Sequence, residues 1–146
     1  MKNLFLITLL TAAFFTTTSC KSDDDKIEEI PLTGAAWKLT SLSVNGTNRA
    51  LDECELLDTY SFTDDGKFTF DGNEKEASGE CAKTVTNGTW TADNSVAGSR
   101  RFNITFTGET ETQLLTLEGD VLREVVVEGP NSEGLTETFS YVYSRQ

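Results

Sequence analysis

The chain has 146 residues, 24 acidic against 12 basic side chains, no histidine and a formal charge of -12. That balance repels nucleic acid and anionic lipid surfaces and excludes a nucleic-acid-binding role. Without histidine there is no imidazole to activate a thiol or to complete a mixed Cys/His zinc site, so no metal centre and no cofactor are implied.

The chain opens with Lys2, an apolar run from Leu4 to Phe15 broken by Thr8 and Thr11, and a small-residue stretch from Thr16 to Ser19. This is the layout of an export signal. About 20 apolar residues are needed to cross a hydrocarbon core, more than this run supplies, so cleavage is expected rather than retention as an anchor. A cysteine directly after such a leader resembles the lipobox of bacterial lipoproteins, in which the thiol is acylated and becomes the mature amino terminus. Thr17-Thr18-Ser19-Cys20 supplies the small residues of that motif but not the usual Leu or Val three positions upstream. Ser22, Asp23, Asp24 and Asp25 resemble the acidic tract that sends some lipoproteins of Gram-negative bacteria to the outer face of the outer membrane; a solvated linker is the plainer reading of such a charge run. The expected organisation is a signal peptide over 1–19, an acidic tether over 20–31 and one domain over 32–146. The expected address is the outer membrane, through lipid on Cys20, facing the cell exterior.

Removing 19 residues from 146 leaves 127, which suffices for one domain with a real core. With Cys20 acylated, Cys54 and Cys81 remain as an even pair in an oxidising compartment, where a disulfide is expected. Closing their loop should stabilise the fold by roughly 3 to 4 kcal/mol on the chain-entropy account.

Beyond the tether the apolar pattern has period two. Trp37-Lys38-Leu39-Thr40, Tyr60-Ser61-Phe62-Thr63, Lys67-Phe68-Thr69-Phe70, Phe102-Asn103-Ile104-Thr105-Phe106 and Phe139-Ser140-Tyr141-Val142-Tyr143 all alternate, as half-buried strands do. Eight strands are expected, over 36–44, 58–63, 67–71, 88–92, 101–107, 112–118, 120–128 and 136–144. Turns are expected at Asn45-Gly46, Asp64-Asp65-Gly66, Asp71-Gly72-Asn73, Asn87-Gly88 and Glu118-Gly119-Asp120. Leu51 to Leu57 reads as a helical turn, and the inward face of Val125-Val126-Val127 cannot be phased from pattern alone. Eight short strands joined in sequence predict an all-β fold, an antiparallel up-and-down barrel.

Leu32-Thr33-Gly34 leading to Trp37-Lys38-Leu39-Thr40, Cys54 ahead of the Tyr60 to Phe70 hairpin, then Cys81 and Gly88-Thr89-Trp90, together resemble the lipocalin-like domain lipoproteins of Gram-negative bacteria. The resemblance spans about 32–145. Gly34 and Trp37 are separated by two alanines where the lipocalin signature has one intervening residue. The family implies an eight-stranded barrel and the capacity to bind an apolar ligand, without specifying which.

Among the residues themselves, only the aromatic set is large enough to carry ligand binding. Trp37, Phe62, Phe68, Phe70, Trp90, Phe102, Phe106, Phe139 and Tyr141 share the alternating phase and are expected to point inward. There they either fill the barrel or line a pocket for one small molecule. Asp64-Asp65-Gly66 and Asp71-Gly72-Asn73-Glu74 lack the spacing and distal Glu of a calcium loop. No Gly-x-Ser-x-Gly or phosphate-cradling glycine loop is present. Asn45-Gly46-Thr47, Asn87-Gly88-Thr89 and Asn103-Ile104-Thr105 match the glycosylation pattern but read as turn and strand residues behind a bacterial lipobox. The expectation is a monomeric, non-enzymatic, lipid-anchored surface protein that binds a small apolar ligand. The alternative is an interaction module engaging another surface protein or a glycan through its loops.

Overall fold

The computed structural model describes residues 31–130 and 134–146. The leader, Cys20 and the Ser22 to Asp25 tract lie outside the described residues. Among the described residues nine strands form one antiparallel sheet: β1 (Ala36–Val44), β2 (Thr47–Arg49), β3 (Thr59–Phe62), β4 (Lys67–Lys75), β5 (Cys81–Asp93), β6 (Arg101–Phe106), β7 (Gln113–Glu118), β8 (Val121–Glu128) and β9 (Glu137–Arg145). Each pairs with its neighbour in the order β2-β1-β3-β4-β5-β6-β7-β8-β9, and β1 also pairs with β9. The result is a closed eight-stranded up-and-down barrel, with β2 as a short flap hydrogen-bonded to the end of β1. Closure removes the exposed edges that an open sheet would present.

The eight expected strands are the barrel strands, with ends moved by a residue or more in most of them. Two expected turns are not turns. Asp71-Gly72-Asn73 lies inside β4 and Asn87-Gly88 inside β5, paired continuously from Lys67↔Thr89 to Lys75↔Cys81. The chain reverses instead at Glu76 to Glu80, where Glu76 N–H donates to Glu80 O at 2.8 Å and Gly79 takes φ 88°. Gly88 serves close approach rather than reversal. A Cβ there would stand 2.3 Å from the Thr105 carbonyl oxygen and 2.4 Å from the Phe68 ring, which lies across the glycine from the neighbouring strand. Asn45-Gly46 is a turn as expected, with both residues at positive φ, and it folds β2 back on β1. The helical turn is present as a single 3-10 turn over Glu55–Leu57.

Strand β1 carries a bulge at Thr40, since its pairing with β9 steps from Leu39↔Tyr143 to Ser41↔Val142. The extra residue lets both Leu39 and Leu42 face inward, which strict alternation forbids. The tight turn at Gly119-Asp120 sets Leu117 opposite Leu122 and Leu115 opposite Glu124. That register phases the valine run: Glu124 and Val126 face in, while Val125 and Val127 face out and are 49% and 62% exposed.

The core occupies one end of the barrel. Trp37, Leu39, Phe62, Phe68, Ile104, Leu115, Leu117 and Leu122 are buried there, and Leu32 closes the base by accepting the Trp37 indole N–H at 2.8 Å. At the opposite end Cys54, beside the 3-10 turn, is bonded to Cys81 at the start of β5, with 5.3 Å between Cα atoms.

Candidate ligand-binding site

Above the packed base the barrel opens into a cavity of about 670 Å³. It exists because the upper halves of β4 and β5 present Gly72, Thr84 and Thr86 to the interior instead of large side chains. The walls carry Tyr60, Phe70, Phe106, Phe139, Tyr141 and Tyr143, and Leu42 and Val126 complete the apolar lining. Six carboxylates also line it (Asp52, Glu55, Asp58, Glu74, Glu124 and Glu128), against two basic side chains, Arg49 and Lys75.

The nine aromatics expected to face a ligand divide between the two ends. Phe70, Phe106, Phe139 and Tyr141 line the cavity. Trp37, Phe62, Phe68, Trp90 and Phe102 do not reach it and pack as the base. There Trp90 stands edge-on to Phe62 at 6.4 Å and to Phe102 at 5.7 Å, and its indole donates to Thr63 O at 3.0 Å. The interior is therefore filled below and open above, so the two expected states coexist in one barrel. Tyr60 marks the boundary, within 5.8 Å of the Phe62, Phe68, Phe70 and Tyr143 rings.

At that boundary lies a charge the sequence reading missed. Glu124 is 96% buried, with 4% of its surface exposed. The Tyr60 and Tyr143 hydroxyls both donate to its Oε2, each at 3.3 Å. Those contacts are longer than a well-formed hydroxyl–carboxylate bond, so they offset burial only in part. Burial accordingly pushes the Glu124 carboxyl up from 4.5 to about 7, against the smaller downward pull of the two hydroxyls. Burial, with the adjacent Glu124 charge, also holds both phenols well above their ordinary value, so they stay protonated donors. On β7, Gln113 lines the same cavity, and its Oε1 is buried with no hydrogen-bond partner among the described residues. Asp58, whose carboxyl is raised chiefly by burial, accepts the Asn73 backbone N–H at 2.7 Å at the mouth.

The signal for Glu124 was the two-residue turn at Gly119-Asp120, which fixes the phase of β8. For Gln113, Tyr60 and Tyr143 it was period two alone, which does not separate a core ring from a cavity ring. A second depression of about 510 Å³ lies on the outer face of β3, β4 and β5 among Ser61, Thr63, Thr69, Asn87 and Thr89. It holds no buried ionisable group. Among the described residues no three His, Cys, Asp or Glu side chains converge to hold a metal ion.

A family profile described as a lipocalin-like domain matches residues 32–123, nearly two thirds of the chain. The chain belongs to the lipocalin-like family. No curated protein and no solved structure matches it. The match ends one residue short of Glu124, so the interior carboxyl and all of β9 lie beyond the stretch that identifies this lipocalin-like barrel.

The raised Glu124 carboxyl makes the stability of the lipocalin-like domain pH-dependent in a definite direction. Below about pH 4.5 the group is protonated in both folded and unfolded chains and costs nothing. As pH rises from about 4.5 to about 7 the unfolded chain ionises while the folded chain keeps its proton, so stability is lost, by roughly 3 kcal/mol in all, and levels off above about 7 where the folded group ionises too. Glu124→Gln should remove this slope. Chemical denaturation should find the variant more stable than the parent at about pH 8 and level with it at about pH 4. Parallel pH profiles would show that Glu124 ionises freely in the folded barrel.

Proposed function

We propose that this lipocalin-like protein is a non-enzymatic, lipid-anchored receptor that takes one small, largely apolar molecule into the open half of its barrel. The observation that carries the reading is the cavity of about 670 Å³, walled by aromatic rings and floored by Tyr60, Tyr143 and Glu124. Its volume falls within the range of small-molecule sites, roughly 300 to 1,000 Å³. Apolar walls with a few convergent polar groups are the usual composition of such sites, the rings supplying burial and the polar groups orientation.

The test is native mass spectrometry of the protein taken from its own host, with calorimetric titration of a panel of small apolar molecules. A co-purifying small molecule is expected, and Val126→Trp, which fills the cavity from β8, should abolish its binding. A bare mass with no titratable ligand across the panel would sink the reading.

The anchor is assigned to Cys20, with Ser22 to Asp25 directing the chain to the outer leaflet of the outer membrane; the leader layout and the acidic tract support it. Cys20→Ala should stop incorporation of labelled fatty acid. Alanine at positions 23–25 should protect the protein from protease added to intact cells. Labelling that persists in the first variant would exclude Cys20, and unchanged digestion in the second would reduce the tract to a linker.

A further inference from the structure

We propose that the cavity selects an organic cation, a primary amine carried on a flat apolar body, with Glu124 as its counter-ion and the Gln113 side-chain carbonyl as a second acceptor. This rests on the cavity being a ligand site and narrows what can enter it.

The hydrogen-bonding inventory points that way. Both tyrosine hydroxyls are spent on Glu124 Oε2, and Oε1 receives no hydrogen bond among the described residues. Gln113 Oε1 is a buried acceptor with none either. The site thus offers acceptors, and an ammonium brings three donors. A buried acceptor left unpaired costs free energy, so a ligand that donates to it recovers that cost on binding.

Charge argues the same. Of the two basic side chains on the lining, Arg49 is ion-paired with Glu55 and Lys75 with Glu53 at 2.8 Å. Neither is uncommitted, while the carboxylates outnumber them three to one. A fatty acid would have to place its carboxylate in this field, whereas an ammonium is drawn into it. The rings suit a cation too. Tyr60 stands 4.6 Å from Phe70 and 5.1 Å from Tyr143, centroid to centroid, so aromatic faces and edges cluster beside the carboxyl. The faces of such rings attract cations, more strongly once water is removed, whereas their edges do not.

Binding and ionisation are then coupled. A buried carboxylate without a counter-charge is costly, which is why Glu124 holds its proton up to about pH 7. Around it stand Tyr60 from β3 and Tyr141 and Tyr143 from β9, all protonated, while β7 presents Leu115 and Gln113, which do not titrate. Asp58 and Glu128 share the cavity, and Arg49 remains paired. An entering ammonium should therefore displace the Glu124 proton when the pH is below about 7.

The experiment titrates the mature, disulfide-intact protein with naphthylmethylamine, naphthylmethanol and naphthoate, which share a ring and differ in charge. At about pH 8 the amine should bind roughly ten- to a hundredfold tighter than the alcohol, the worth of a charge-assisted hydrogen bond. Naphthoate should bind weakest. Glu124→Gln should erase the amine's advantage over the alcohol, and an unfolding midpoint level with that of the parent at about pH 4 shows that the variant is folded. Calorimetry of the unaltered protein at about pH 6 in two buffers of different ionisation enthalpy should find proton release with the amine and none with the alcohol, an arm that does not depend on the variant folding. If the amine and alcohol bind alike and no proton is released, the cation assignment is overturned while the cavity remains a ligand site. If no probe binds, the ligand-site reading falls and the cation assignment with it.

Discussion

Trp37→Ala is expected to destabilise the barrel by about 3 to 5 kcal/mol, the usual cost of truncating a buried large aromatic. Trp37 has no exposed surface, and its indole N–H is spent on the Leu32 carbonyl at 2.8 Å. Alanine would open a void at the base and also orphan that carbonyl, releasing the segment that closes the barrel. At roughly 3 to 6 °C per kcal/mol for a domain of this size, the thermal midpoint should fall by at least about 10 °C. Trp37→Phe separates the two losses. It keeps most of the packing and loses the hydrogen bond, so a drop of about 1 to 2 kcal/mol is expected. A midpoint for Trp37→Ala within about 3 °C of the parent would mean that the base does not hold the barrel closed.

The Cys54–Cys81 bridge should have an effect of similar size. It links residues 27 apart in sequence, and replacing both by alanine should cost about 3 to 4 kcal/mol on the chain-entropy account. The location adds a second consequence. Cys54 belongs to the loop that carries Asp52, Glu55 and Asp58 to the rim of the cavity, and Cys81 starts the strand that presents Thr84 and Thr86 to its wall. Loss of the bridge should thus weaken ligand binding at a temperature where the barrel is still folded, whereas loss of Trp37 should act on stability alone. Paired calorimetric unfolding and ligand titration distinguish the two. Unchanged affinity in the alanine pair would show that the rim loop holds its place without the bridge.

The barrel was legible in the sequence wherever the interior is apolar. Strands β1, β3, β6 and β9 alternate large apolar and polar residues, so period two reveals them. The upper parts of β4 and β5 were not legible, because there the interior faces are Gly72, Glu74, Thr84 and Thr86, and no alternation survives. The residues that make room for a ligand are thus the ones that erase the strand signal. Gly72 likewise made Asp71-Gly72-Asn73 look like a turn, and Gly88, a glycine needed beside the Phe68 ring, did the same for Asn87-Gly88, since Gly and Asn favour reversals only when nothing pairs beside them. Thr40 was hidden for another reason: a bulge shifts the phase without changing composition. Glu124 sat in a run, Val121 to Glu128, in which either face could have been the apolar one. The register that decides between them comes from the turn before it, and the cost of burying a carboxyl argued against the correct choice.

The seam between β1 and β9 joins the first strand of the domain to the last, pairing Trp37 with Arg145 and Val44 with Phe139. Contacts of such sequence separation slow folding, because almost the whole chain must be ordered before they form. A chain emerging amino-terminus first cannot complete its barrel until the final strand is available. Until then β1 and β8 each carry a row of unsatisfied main-chain groups, the arrangement that recruits strands from other molecules. Any truncation of the last ten or so residues would make that transient state permanent.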